Sequence, residues 1–431
     1  MSYRPLNFLR AVALATALFA NMAQAEIDAS VQPTFTEKLN LAGSLRGSYW
    51  NMDNNPTGSN DIGVGELWLK ATPQVGEEAK IVAEGWVRAS NISGTTQSTG
   101  RLREGYLNFS QDAADFRIGK QIIVWGRADQ INPTDNLSPR DNTLLFAETD
   151  DQRQGTTAAK ATYHFTQTYH FTGLAATAIW LPLFRPNVQP IAPTPGVTFT
   201  ENIPKGDQFA LKLEQTGQDI DWSLSYFHGF DLNPDLSMTA PPPPVLNIAL
   251  NHHRIRVLGA DAATVLGRYG VRSEIAYTWT EDAAGNNPFI KNPFLYWVAG
   301  ADKTFLEYLN INVQYFARHI SRYQNPTTIV NPLEQTVAVQ QSIIASQQDR
   351  FQQGASLRVS NKWLNETLDA ELTTVYNATR GDYLLRPKMG YAFSDHWRGS
   401  LGANLFRGDK NTFFGLLKNR SSVFAELRYG F

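Results

Sequence analysis

The chain has 431 residues, with 38 Lys and Arg against 40 Asp and Glu, 42% hydrophobic and 12% aromatic side chains, and no cysteine. A near-neutral balance argues against nucleic acid as a partner, and the absence of thiols excludes disulfides and metal–thiolate sites, so stability must come from backbone pairing and burial. No apolar run reaches the roughly 18 residues that a spanning helix needs.

Arg4 and Arg10 precede an apolar run from Ala11 to Ala20, and Ala23-Gln24-Ala25 offers the small residues a signal peptidase requires. Residues 1–25 therefore read as a cleaved signal peptide and 26–37 as a short periplasmic segment. From 38 to 431 the chain reads as one array of short segments with alternating hydrophobicity, joined by short turns and long connections in turn. The first five segments are 39–50, 64–72, 80–91, 101–110 and 115–125, the last closed by Trp125. After a long connection come 156–165 and 169–181, then a Pro-rich loop, 207–216 and 220–230. A loop carrying Pro241 to Pro244 leads to 253–264, 269–280, 294–303 and 308–319, and the loop 321–350 leads to 351–363, 367–377, 383–393 and 397–406.

In the last segment Val423, Ala425, Leu427, Tyr429 and Phe431 alternate with Phe424, Glu426, Arg428 and Gly430. A period of two gives this strand one greasy face, which must close against something. It resembles the C-terminal signal strand that the outer-membrane barrel-assembly machinery recognises. That resemblance implies Leu427, Tyr429 and Phe431 as the assembly signal and the machinery as a partner.

The count is about 18 strands, with 16 as the fallback, and the expected fold is all-β: a transmembrane antiparallel up-and-down β-barrel. In hydrocarbon only helices and closed barrels satisfy their own backbone, and barrels of 16 to 18 strands leave a water-filled channel. A soluble propeller or sandwich would face water with Lys and Glu. Here the face assigned outward carries Leu67, Leu69, Ile81, Val87, Leu309, Ile311, Val313, Leu368, Leu372, Leu401 and Leu405, which suits outer-membrane lipid and lipopolysaccharide. Trp50, Trp180, Trp222, Trp279, Trp363 and Trp397 lie near strand ends, where interfacial girdles are expected.

The same register makes the inward face polar, with Arg88, Arg117, Arg254, Arg256, Arg358, Arg386, Arg398 and Arg428 among more basic than acidic residues. These either brace the wall through ion pairs or focus a field that selects solutes. Trp68 and Trp86 also point inward beside charges, where they stack planar or sugar-like solutes or simply pack the wall. The third long loop, 126–155, carries Arg127, Asp129, Asp135, Arg140 and Asp141 around Pro133 and Pro139. Its stiffness and mixed charge suit a constriction folded into the pore; the alternative is an exterior turn over the rim.

Gly119-Lys120-Gln121, Val124-Trp125-Gly126, Asn132-Pro133, Trp180-Leu181-Pro182, Leu385-Arg386-Pro387-Lys388, Phe413-Phe414-Gly415 and the terminal strand look like a poorly characterised family of proteobacterial porin-like barrels. That family is loosely grouped with alginate-export and substrate-selective porins, and the similarity spans most of the mature chain. The resemblance implies residence in the outer membrane of a Gram-negative bacterium, as a trimer or a monomer.

No catalytic constellation is present: there is no His-Glu-x-x-His, nucleophile elbow or phosphate loop. His252 and His253 are adjacent and would face opposite sides of a strand, so a shared metal is not expected, nor is any cofactor. Val337 to Ile344 shows helical periodicity inside a Gln-rich loop, as a surface helix or a lid. The expected function is diffusion of small hydrophilic or anionic organic solutes through a porin-like channel. The alternatives are a dedicated export or uptake barrel working with a partner system, and, third, a barrel enzyme with a Ser-His pair between strands.

Overall fold

The computed structural model describes residues 38–55, 59–92, 94–143, 145, 147–165, 173–189, 196–217, 219–239 and 246–431. The signal peptide, the segment 26–37 and the prolines 241–244 lie outside the described residues. Eighteen strands form the wall: β1 Leu41–Met52, β2 Asp61–Ala71, β3 Ala79–Ser90, β4 Gln97–Gln111, β5 Ala114–Gln121, β6 Thr156–His164, β7 Leu174–Leu181, β8 Gln208–Gln215, β9 Ile220–Phe230, β10 Arg254–Leu266, β11 Tyr269–Trp279, β12 Phe294–Phe305, β13 Leu309–Ile320, β14 Phe351–Trp363, β15 Leu368–Asn377, β16 Asp382–Ala392, β17 Trp397–Arg407 and β18 Ser422–Gly430.

Each strand pairs antiparallel with its neighbours in sequence, and β1 pairs with β18 from Ser44↔Gly430 to Met52↔Ser422, which closes the barrel. Closure leaves no sheet edge, the condition for a β structure in lipid. Phe431 continues the seam by exchanging backbone hydrogen bonds with Gly43, at 2.8 and 3.0 Å. Among the described residues no helix is long and apolar enough to cross a membrane.

The alternation predicted from sequence appears as alternating burial. Along β13, Asn312 and Gln314 are buried in the interior while Val313 and Tyr315 are exposed on the outer face. Val313→Arg is therefore expected to destabilise the barrel by about 2–4 kcal/mol, the cost of a basic side chain at mid-bilayer on a lipid face, whereas Val313→Leu should be nearly neutral. Urea refolding into liposomes measures the difference, and equal midpoints for the two variants would overturn the register.

Two expectations are corrected. Trp50 is not part of an outer girdle: it is buried on the inner face with Ile62, Val64 and Phe424, whereas Trp180, Trp363 and Trp397 are exposed outside. Trp125 does not end a strand, because β5 stops at Gln121 and the chain turns inward from there.

On the long-loop side, which faces outward in bacterial barrels, a second sheet and a helix form a cap. Strand Leu246–Asn251 pairs antiparallel with Asp235–Thr239 and parallel with Val197–Asn202. Helix α1, Pro332–Ile344, begins on an Asn331 cap and packs Val337 against Ile248 and Leu250. The helical segment is thus part of the cap rather than an isolated surface helix.

Candidate functional site

The third long loop enters the barrel because β5 ends early and the next residues are apolar on one side. Ile123, Trp125 and Leu137 form a buried cluster with Ile179, Leu181, Phe227, Ile255 and Val257 from the inner faces of β7, β9 and β10. Burying this surface away from water drives the loop onto the wall. The long-loop half of the arc from β7 to β10 therefore presents an apolar inner face, contrary to the expectation of a polar one, while nearer the short turns Thr162, Thr177, Ser223, Ser225 and Asp261 keep it polar. The same register overturns the inward placement of Arg254 and Arg256. Ile255 and Val257 point in, so the arginines share the outer face with Leu258, Arg256 exposed and Arg254 4.3 Å over the Phe230 ring.

Polar clamps then fix the loop. Glu274 on β11 is 1% exposed, and its carboxylate accepts from the backbone N–H groups of Arg127 (3.1 Å), Ala128 (3.3 Å) and Thr134 (2.7 Å) and from the Thr134 hydroxyl (2.8 Å). Gly126 makes the approach feasible: its φ is +89°, and a Cβ there would lie 2.5 Å from Glu274 Oε2. Arg127 donates to Asp261 at 2.7 Å and reaches Asp221 at 3.5 Å. On a different arc of the wall Asp129 meets Arg358 of β14 at 3.2 Å. Farther along the loop, Lys388 of β16 meets Glu148 at 3.4 Å, Arg386 donates to Thr149 at 3.1 Å, and Arg46 of β1 pairs with Asp151. A loop held by β9–β11, β14, β16 and β1 crosses the lumen.

The remaining sequence candidates are drawn into the same braces. Asp135 pairs with Arg153 at 2.7 Å and Arg140 at 3.4 Å, and Asp141 pairs with Arg101 of β4 at 3.5 Å. Arg88 binds Glu66 at 2.6 Å. Arg117 lies near the short-turn end of β5, over the Tyr106 ring at 4.5 Å and bonded to Asn108 at 3.2 Å. Trp68 and Trp86 are 7% and 6% exposed and carry guanidinium groups over their rings, from Arg46 at 4.5 Å and Arg88 at 4.0 Å. Their faces are taken by protein cations.

Most luminal cations are paired, so an unpaired one weighs heavily in the local field. The sequence places Arg428 on the inward face but does not set it apart from the other arginines there. The ladder sets it between Arg398 on β17 and Arg46 on β1, at one level on three adjacent strands. Arg398 pairs with Asp369 and Arg46 with Asp151. Arg428 has no hydrogen bond or ion pair among the described residues. The signal was present as three arginines on consecutive inner faces, but only the register aligns them.

Above the lumen one buried node ties the cap together. The Lys291 ammonium meets Asp235 at 2.9 Å, Asp231 at 3.2 Å and the Asn233 carbonyl at 2.9 Å. Asp235 also takes His253 Nδ1 at 2.8 Å and the Gln341 amide of α1. The hydrogen bond to Asp235 holds the His253 pKa above its ordinary value, with burial and Lys291 opposing and Glu281 assisting. Burial pushes the Asp235 carboxyl up, but Lys291 and His253 outweigh it and leave it below the usual carboxylate range. The histidine's contribution is full below about pH 6.5 and is lost as pH rises through its raised pKa; the carboxylate's is full above about pH 4 and is lost as pH falls through its lowered one. The cap should thus be tightest between these limits. Hydrogen exchange at 231–239 and 246–253, corrected for intrinsic rates, is expected to be faster at pH 9 than at pH 6. His253→Gln should erase the difference; an unchanged pH dependence in that variant would refute the assignment.

The family model described as Protein of unknown function (DUF1302) matches residues 83–431. The chain belongs to this family. No curated protein matches its sequence. Among solved structures the DUF1302 chain is similar in fold to a BenF-like porin from Pseudomonas fluorescens Pf-5, at 11% identity and a TM-score of 0.53, covering 91% of this chain and 97% of that one. Pseudomonas aeruginosa OpdK with vanillate gives 10%, 0.53, 91% and 98%, and Acinetobacter baumannii OccAB4 gives 10%, 0.51, 91% and 97%. At these identities the likeness establishes the fold of this DUF1302 protein, a closed antiparallel β-barrel of the architecture those porins share.

Proposed function

We propose that this protein is an outer-membrane channel for passive, selective diffusion of small hydrophilic solutes, with a preference for anionic organic ones. The observation that carries the reading is the third loop clamped across an 18-strand lumen, with Arg428 left unpaired on the opposite, charged arc. A narrowed low-dielectric passage focuses the field of an unpaired cation, so a carboxylate gains there what a neutral solute does not. OpdK was crystallised with vanillate, itself a carboxylate, which agrees with a similar solute class for this chain. The interlocked cap favours a narrow, substrate-selective passage over a general pore.

Planar-bilayer recording tests the proposal. Discrete conductance steps and a reversal potential displaced toward anions are expected at about 0.1 M salt, where the Debye length is about 10 Å, fading toward 1 M. Arg428→Glu should move the reversal potential toward cations. No conductance from correctly inserted protein would favour a dedicated barrel that opens only with a partner, and an unmoved reversal potential would remove Arg428 from the path.

A further inference from the structure

Between the loop 280–293 and the loop 321–350, at the outer mouth, lies a cleft of about 260 Å³ that the luminal pathway does not use. Its walls are fixed in place. Gln347 accepts from the Asn292 N–H at 2.8 Å and donates to the Asn292 carbonyl at 2.9 Å, which locks the two loops together. Asp282 accepts from the N–H groups of Gly285, Asn286 and Asn287 at 3.0, 3.2 and 2.8 Å, so the 285–287 wall is rigid as well. Arg318, at the top of β13, donates to the carbonyls of Ala345 and Ser346 at 2.9 and 3.2 Å and seats the cleft at the channel mouth.

The lining is rich in carboxamides, together with the Tyr323 ring, Lys291 and Glu334. Lys291 offers no free charge, because its three N–H bonds already meet Asp231, Asp235 and the Asn233 carbonyl. Glu334 remains as a carboxylate on the wall and disfavours anions. The Tyr323 hydroxyl is spent on the Gln348 carbonyl at 2.5 Å, which leaves its ring as an apolar face. The side chains of Asn286 and Gln324 are exposed and carry no hydrogen bond among the described residues, so each offers a paired donor and acceptor. Planar donor–acceptor pairs beside one aromatic face, without a free cation, match vicinal hydroxyls on a ring with an apolar side. The volume is below the roughly 300 Å³ at which drug-sized pockets begin, so it holds one or two sugar rings.

We infer that this cleft is a binding site for a neutral saccharide unit at the channel entrance, a role separate from the anion preference of the lumen. Such a unit comes either from a free sugar or from the glycan of lipopolysaccharide, and the two are distinguished by competition.

Saturation-transfer NMR on the detergent-solubilised full barrel, with maltose as probe and gluconate as an anionic counter-probe, reads binding without requiring conduction. Failure here therefore leaves the channel proposal standing. Saturation of maltose protons, at least threefold above gluconate, is expected, with at least a fivefold loss in the Asn286→Ala, Gln324→Ala double variant, whose folding is checked by heat-modifiable gel mobility. Displacement of maltose by delipidated core oligosaccharide at lower concentration identifies the surface glycan as the source; retention of maltose identifies a free sugar. The site is overturned if maltose gives no signal, if gluconate exceeds maltose, or if the folded double variant binds as the parent does.

Discussion

Glu274→Ala is expected to raise single-channel conductance several-fold and to blunt ion selectivity. The carboxylate holds three backbone N–H groups and one hydroxyl of the third loop within 3.3 Å, in a spot closed to solvent. Hydrogen bonds to a charged acceptor contribute roughly 1.5–3 kcal/mol each, and donors left buried and unpaired cost more than donors returned to water. The inexpensive response is for the 126–134 segment to leave the wall and hydrate, which widens the passage. The Thr134 methyl fills the space over Gly259, where a Cβ would meet it at 2.4 Å, so the segment has no neighbouring seat to slide into. Glu274→Gln keeps one acceptor oxygen and should fall between the two. Bilayer recording decides: parental conductance in folded Glu274→Ala would mean that the loop does not constrict the path.

Loss of Phe431 should sharply reduce the amount of barrel in the outer membrane while leaving the remaining sequence capable of strand pairing. Phe431 joins the β1–β18 seam through two backbone bonds to Gly43, and its ring lies where a side chain at residue 43 would go, 2.6 Å from an ideal Cβ. Gly43→Val is predicted to act in the same direction by expelling that ring from the closing seam. The proposed assembly role requires the deletion to lower insertion in cells more than it slows refolding in pure detergent. Equal effects in both settings would reduce Phe431 to a packing residue, and normal insertion of the deletion would remove it from the signal.

The strands of this protein were legible in its sequence because a pleated strand between lipid and water records its two faces residue by residue. The 351–363 and 220–230 segments match the observed strands end to end, and most others lie within two or three residues. The alternation was ambiguous where both neighbours are amphipathic. Arg254 to Val257 satisfies either register by sequence alone, since an arginine suits the lumen or the outer rim, and an isoleucine suits lipid or a packed interior. The tertiary structure resolved it, because the third loop brings Trp125 and Leu137 against Ile255 and Val257 and makes that stretch of lumen apolar. The Glu274 clamp, the Arg398–Arg428–Arg46 row and the Asp235–Lys291–His253 node join residues from strands and loops far apart in sequence. Local periodicity fixes which way a side chain points; only the register of the closed barrel and the path of the loops inside it determine what that side chain meets.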